Sequence, residues 1–274
     1  MNPIGHDPTW RRVAFAFRPV IYRDARREIR ARLRRQPHHV PLVVDIGGRR
    51  SPYTSGLPAR LVLTDRPPAG EQQEHLRLGL TPAAARDVLA RRNLLGVVLN
   101  DATTACFRAG VADGVIAVEV LEHVEDDESF VAEVARILDT DGWFVMTTPN
   151  GDAKPDPTNP DHVRHYRRHD LAALLQRWFD DVDVRYAVVM GRWHRLGLRG
   201  WDARRPVTTL LSMLGNTVNR LQSRPRRVMN RTRGTNHLVA VARRPRRRSE
   251  HAAGPPPDPS RQLPEQLAPQ RLHR

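Results

Sequence analysis

The sequence predicts an α/β fold with a doubly wound, mostly parallel sheet of seven strands, and three observations carry that reading. Short apolar runs rich in β-branched residues, at 40–46, 60–64, 94–99 and 115–118, alternate with helical patterns. The runs are continuously apolar rather than alternating, as expected of strands covered on both faces. Acids stand at or beside their carboxyl ends, Asp45, Asp65, Asp101 and Glu119, and open parallel sheets bind ligands along that edge.

In chain order, residues 18–35 carry Val20, Ile21, Ala25, Ile29 and Leu33 at near-helical spacing among many arginines. A surface helix packed on the sheet is one reading, and an arginine face for an anionic partner is the other. The first strand ends in Asp45, and Gly47-Gly48 follow. Glycines here let backbone approach a ligand closely. Ser51-Pro52 then suit a helical cap and first turn, and Arg49 or Arg50 can pair with a carboxylate. Asp65 closes the second strand twenty residues after Asp45, the position of an acid that accepts from a ribose diol. Thr81-Pro82 open a helix through residue 92, and 94–99 form the third strand, ending in N-D-A-T.

The stretch from Asp113 to Asn150 is the most informative. Residues 115–118 are a buried strand, with Glu119 and then Glu122-His123 at its carboxyl end. Phe130, Val131, Val134, Ile137 and Leu138 recur at helical spacing, with acids first and Arg136 last. Asp141-Gly142 is expected to stop that helix, and 143–148 restart a strand before Pro149. Two parallel strands joined by a right-handed crossover follow from this pattern.

The V-E-V-L-E-H-V run, the R-I-L-D-T-D-G-W turn and the T-T-P-N end resemble class I S-adenosylmethionine-dependent methyltransferases of the small-molecule type, over residues 40–190. That resemblance implies a Rossmann-like sheet with an antiparallel edge strand and S-adenosyl-L-methionine as cofactor. It implies Asp45, Gly47, Gly48, Asp65, Asp101, Ala102 and Glu119 as cofactor-binding, with Asp101 toward the adenine amino group and Glu119 toward the methionine end. This chain departs from the family's D-x-G-x-G-x-G loop, because Arg49 and Ser51 stand where later glycines belong. His123 either orients or deprotonates an acceptor hydroxyl, or caps its own loop. In-line positioning is the main demand of methyl transfer, so a dedicated base is not required.

After Asn150, a polar loop leads to H-V-R-H-Y, where His162, His165 and Tyr166 are read as walls of a substrate pocket. The carboxylate and histidine spacing matches no known metal site, so no metal is expected. Residues 170–179 read as a helix, 182–189 as a strand and 236–242 as the last strand. Between them, Val207, Leu210, Leu211, Leu214, Val218 and Leu221 form an apolar helical stripe after Pro206. Packing over the sheet, a substrate lid, or peripheral contact with a membrane through 206–221 all suit it.

The division expected is an N-terminal helical extension at 1–39, a methyltransferase domain at 40–242 with a helical insertion or lid at 191–233, and a disordered basic tail at 243–274. That tail holds seven prolines, and eight arginines against three acids, so +5 of the net +15 lies in it. Of 45 basic residues only Lys154 is lysine. Such a skew reads as coding bias, and nucleic acid is not the expected partner; a small-molecule methyl acceptor is. The single cysteine, Cys106, excludes an intramolecular disulfide. No apolar run is long enough to span a bilayer, and the V-A-F-A-F segment near the N-terminus is too short for a signal core, so a cytoplasmic protein is expected. The alternative from another class is a non-catalytic methyltransferase-fold protein that binds nucleic acid or an anionic membrane surface.

Overall fold

The computed structural model describes residues 14–36, 39–48, 51–67, 79–89, 91, 93–199 and 204–246. Arg49, Arg50, the expected end of the helix at residue 92, the first thirteen residues and the tail beyond Arg246 lie outside them. Seven strands form one sheet: β1 (Leu42–Ile46), β2 (Arg60–Asp65), β3 (Leu94–Leu99), β4 (Ala112–Val118), β5 (Leu138–Pro149), β6 (Phe179–Val189) and β7 (Thr235–Pro245). Their spatial order is β3-β2-β1-β4-β5-β7-β6. β1 to β5 are mutually parallel, and β7 enters antiparallel between β5 and β6, leaving β6 as the outer strand.

The helices are α1 (Val20–Leu33), α2 (Pro82–Leu89), α3 (Asp127–Ile137), α4 (Arg168–Gln176), α5 (Arg192–Gly197), α6 (Pro206–Gln222) and α7 (Pro225–Val228). β4 shows why the central strands read as unbroken apolar runs. Val115 and Ala117 join the core beneath α3 and α4, while Ile116 and Val118 join the opposite core with Ala25, Ile29 and Leu33 of α1. The helix expected over 18–35 therefore packs on the sheet; Arg30, Arg34 and Arg35 are exposed, while Arg26 turns in to the Tyr53 and Ser55 carbonyls and the Arg32 side chain is nearly buried.

α3 is capped by Asp126, whose carboxylate accepts from Ser129 N at 2.9 Å. Phe130, Val131, Val134 and Ile137 are all fully buried. Asp141-Gly142 does not end this helix. It stops at Ile137 because Leu138 is already extended and pairs with Ala112, so the turn residues fall inside β5 at an irregularity in the ladder. Phe179, read as a helix end, instead opens β6 and stacks on Phe144 in the core.

α6 occupies nearly the residues its periodicity predicts, but with the opposite face buried. Ser212, Gly215, Asn216 and Asn219 are inside, while Val207 is 68% exposed, Leu210 63% and Leu214 49%. Polar bonds hold that inner face. Ser212 Oγ and Asn216 Nδ2 both donate to the Gly197 carbonyl at 2.9 Å, and Asn219 Nδ2 donates to Val189 O at 2.7 Å. A Cβ at Gly215 would come 2.7 Å from Gly197 N, so α5 and α6 meet backbone to backbone.

Candidate active site

Parallel register brings the carboxyl ends of β1 to β5 to one edge, since Ile46 pairs with Thr64 and Ala117, Asp65 with Leu99, and Val118 with Thr147. The loop leaving β1 is pressed against its neighbours. Gly47 has φ +68°, and a Cβ there would lie 2.7 Å from Val120 Cγ2, so only glycine fits both the conformation and the gap. A Cβ at Gly48 would fall 2.4 Å from the Asp45 carboxyl. Asp45 is fully buried below this loop and accepts from Thr54 Oγ1 at 3.1 Å and Tyr53 OH at 3.3 Å. Burial pushes its carboxyl up to about 6, against the opposing hydrogen bonds and the Arg91 charge. It therefore braces the loop from beneath rather than opening onto the edge.

Asp65 and Asp101 do reach the surface of that edge. Asp65 is half-buried, and Asp101 is exposed with Ala102 buried beside it. The Asp101 carboxylate accepts from Thr103 N at 2.9 Å and Thr103 Oγ1 at 2.7 Å, which hold it below the usual carboxylate range. Cys106 lies nearby on an exposed loop.

At the end of β4 the backbone turns sharply. Glu119 has φ +57°, a left-handed conformation costly for a non-glycine residue, and it redirects the side chain toward β5 and β7. Its carboxylate accepts from Thr147 Oγ1 at 2.7 Å and lies 3.2 Å from His237 Nε2. Burial works to raise its pKa, but the His237 charge and these hydrogen bonds win, and the net direction is down.

His237 was not legible as a site residue, and neither was His194 behind it, whose ring meets that of His237 edge-on at 6.1 Å. Burial, then the neighbouring His237, pushes His194 down to about 4, so it is neutral at pH 7. The only sequence sign was a histidine at the start of the last strand.

Glu122 and His123 sit on a single 3-10 turn, and Glu122 is fully buried. Its Oε2 accepts from Thr148 Oγ1 at 3.1 Å, whereas Oε1 has no hydrogen-bond partner among the described residues. Burial first, and then Glu119, raise its pKa well above the usual range. His123 is exposed, with Nδ1 2.8 Å from Asp161 O. His162 and His165 stand beside it, linked Nδ1 to Nε2 at 2.9 Å. One ligand atom from each of Glu122, His123 and His162 lies within 4.8 Å of the others, a donor cluster that sequence spacing did not foretell.

The expected pocket wall loses one member. Tyr166 is buried in the core below α3 and α4, because its hydroxyl finds Asp127 Oδ2 at 2.7 Å there. His162 and His165 remain at the edge.

Strand order, glycine loop and edge carboxylates define a Rossmann-like cofactor-binding fold. A family model described as a methyltransferase domain matches residues 77–146. A probable S-adenosylmethionine-dependent methyltransferase of Mycolicibacterium smegmatis is 33% identical over 96 residues, 34% of this chain and 36% of that protein. A protein of the same description from Mycobacterium tuberculosis is 35% identical over 97 residues, 34% of each chain. The chain thus spans about a third of the length of these curated relatives. Among solved structures, a SAM-dependent methyltransferase from Archaeoglobus fulgidus aligns with a TM-score of 0.47 and 17% identity, over 80% of this chain and 94% of that one. In these matched segments the chain is similar to S-adenosylmethionine-dependent methyltransferases, and they lie on a mostly parallel seven-stranded sheet.

Proposed function

We propose that this protein transfers a methyl group from S-adenosyl-L-methionine to a small-molecule acceptor, such as a sugar or a lipid-linked precursor. The observation that carries the reading is the set of acids at the carboxyl ends of the parallel strands β2, β3 and β4, Asp65, Asp101 and Glu119, on either side of the glycine loop that leaves β1 with no room for side chains. These residues fit the cofactor. Asp65 would accept from the ribose hydroxyls, Asp101 and Ala102 would meet the adenine, and Glu119 would face the methionine end. Bound there, the cofactor supplies an electrophilic methyl on a sulfonium. The chain's part is to hold the acceptor in line, exclude water and receive the acceptor's proton. His123, exposed with its Nδ1 held by Asp161 O, is the group we assign to orient an acceptor hydroxyl, with His162 and His165 beside it.

Calorimetric titration with S-adenosylmethionine tests this directly. Micromolar binding is expected, and Asp65→Ala is expected to weaken it by about 1.5–3 kcal/mol through loss of a charged acceptor. No heat and no thermal shift at millimolar cofactor would favour the non-catalytic alternative.

A second reading concerns partners, and the reversed face of α6 supports it. The outer stripe of α6 docks on an anionic bilayer surface. Buried small and polar residues with leucines outside is the pattern of helices whose exterior meets lipid. No helix among the described residues is long and apolar enough to cross a membrane, so the contact would lie in the interface plane. Leu198, at the end of α5, is also 59% exposed, and Arg192 lies 5.0 Å over the Trp193 ring, an arrangement suited to the headgroup layer. The stripe's far end, Leu221, lines a cleft of about 590 Å³ between α1 and α6 that also holds Arg23, Arg30, Arg34, Arg220 and Arg224. The lining carries several arginines against one acid, Asp24, so it is net positive, and burial and the nearby Arg220 charge lower the Arg23 pKa against Asp24; lipid phosphate would offset that charge.

Co-sedimentation with phosphatidylglycerol–phosphatidylcholine vesicles, against phosphatidylcholine alone, tests this. Wild type is expected to pellet only with the anionic vesicles, and Leu210→Asp with Leu214→Asp, or Arg220→Glu with Arg224→Glu, to lose at least tenfold. Failure of wild type to pellet, equal binding by the variants, or a stable dimer in solution covering the stripe would each overturn it.

A further inference from the structure

Three side chains at the carboxyl edge have no assigned work together: Glu122, His123 and His162. The hydrogen-bond network around them fixes which atoms they present. A backbone carbonyl can only accept, so the His165 Nδ1 that lies 2.8 Å from Lys154 O carries the proton, and its Nε2 is bare when the ring is neutral. That bare Nε2 lies 2.9 Å from His162 Nδ1, which must then be the donor, leaving His162 Nε2 bare in turn. By the same argument His123 donates from Nδ1 to Asp161 O, and its Nε2 is bare. Two imidazoles oriented through one nitrogen by carbonyl or imidazole partners, with the other nitrogen bare, is the arrangement that fixes the tautomer and orientation of metal-binding histidines.

The third group is a carboxyl that becomes an anionic ligand when a bound ion displaces its proton. Glu122 is fully buried, and its Oε1 accepts no hydrogen bond from any described residue. An orphaned carboxylate oxygen away from water is costly and calls for a partner. We infer that Glu122, His123 and His162 form a binding site for one divalent first-row transition ion. One donor atom from each already lies within 4.8 Å of the other two, so small side-chain adjustments bring all three to bonding distance. Two nitrogens and one carboxylate suit Mn²⁺, Fe²⁺, Co²⁺ or Zn²⁺ better than Mg²⁺, which prefers an all-oxygen shell. Three protein ligands leave coordination positions open, and His123 is exposed, so solvent or an acceptor oxygen has access. On the methyltransferase reading, such an ion would hold an acceptor hydroxyl and lower its pKa. The site itself does not depend on that reading.

The test uses the full chain stripped with chelator, without S-adenosylmethionine, so its outcome is separate from that of cofactor binding. Titration with cobalt chloride is followed by the visible absorption of protein-bound Co²⁺, and with manganese or zinc chloride by calorimetry. One ion per chain at micromolar affinity is expected. Glu122→Gln keeps shape and removes charge, and it is expected to weaken binding at least tenfold, as is His162→Ala. His169→Ala, outside the cluster, is expected to bind as wild type. Circular dichroism establishes that each variant is folded. Absence of a cobalt spectrum at millimolar metal, or wild-type affinity in folded Glu122→Gln and His162→Ala, would overturn the site.

Discussion

α3 and α6 carry nearly the same apolar periodicity and do opposite things with it. In α3 the stripe of Phe130, Val131, Val134 and Ile137 faces the sheet and is fully buried. In α6 the stripe faces out, and the helix is held by Ser212, Asn216 and Asn219 on backbone carbonyls. A hydrophobic stripe therefore identifies a helix and its two faces, but the partner available decides which face turns in. α3 is a crossover, and the surface it meets is the apolar sheet together with the buried face of α4. α6 lands on α5 and the exposed end of β6, whose free Gly197 and Val189 carbonyls ask for donors.

The largest expected effect breaks the α3 side of this comparison. Val134→Asp would place a charge in the core with no partner, and about 4 kcal/mol or more of stability is expected to be lost. Chemical denaturation measures it, and a loss under about 1 kcal/mol would mean the α3 face is not the core.

Next comes the α5–α6 hairpin, where the buried titratable group is His194. Its folded pKa, about 4, is below the unfolded value near 6.5, so the unfolded chain binds the extra proton between those pH values. Stability is full above pH 6.5 and falls as pH drops toward 4, by at most about 3 kcal/mol from this group. His194→Gln is expected to remove that slope. Parallel pH profiles for wild type and variant would show His194 to be solvated and the hairpin loose.

Asn216→Ala tests the polar glue itself. Gly197 O keeps the Ser212 hydroxyl as a donor, so the expected loss is about 1 kcal/mol rather than the full cost of an unpaired carbonyl. A neutral result in urea unfolding would mean that the bond to Gly197 O does not hold the helix.

Much of this fold was legible because its signals are local. The third strand falls on the expected residues, α6 begins at Pro206 as its first-turn proline implies, and three of the four strand-end acids, Asp65, Asp101 and Glu119, reach a common edge. What could not be read was set by contacts distant in sequence. Asp141-Gly142 looks like a helix stop, but pairing of Leu138 with Ala112 ends the helix earlier. Tyr166 looked like a pocket residue until Asp127, 39 positions away, offered its hydroxyl a partner inside. His237 reaches Glu119 only because β7 inserts beside β5, which no spacing announces. Asp45, read as a ligand to the cofactor, is turned under its own loop by Tyr53 and Thr54.

The smallest expected effect is the most diagnostic for α6. Leucines at 63% and 49% exposure have little apolar area left to lose, so Leu210→Gln with Leu214→Gln removes almost no burial from the folded chain. Glutamine matches leucine closely in helix propensity, so the helix itself is not penalised. The double variant is therefore expected to unfold within about 0.5 kcal/mol of wild type, whereas the same pair of changes on the inner face of α3 would be severe. A loss of 2 kcal/mol or more would mean that the stripe is covered in solution by this chain or a second copy. α6 would then be an ordinary amphipathic helix whose partner is protein, and the contrast with α3 would disappear.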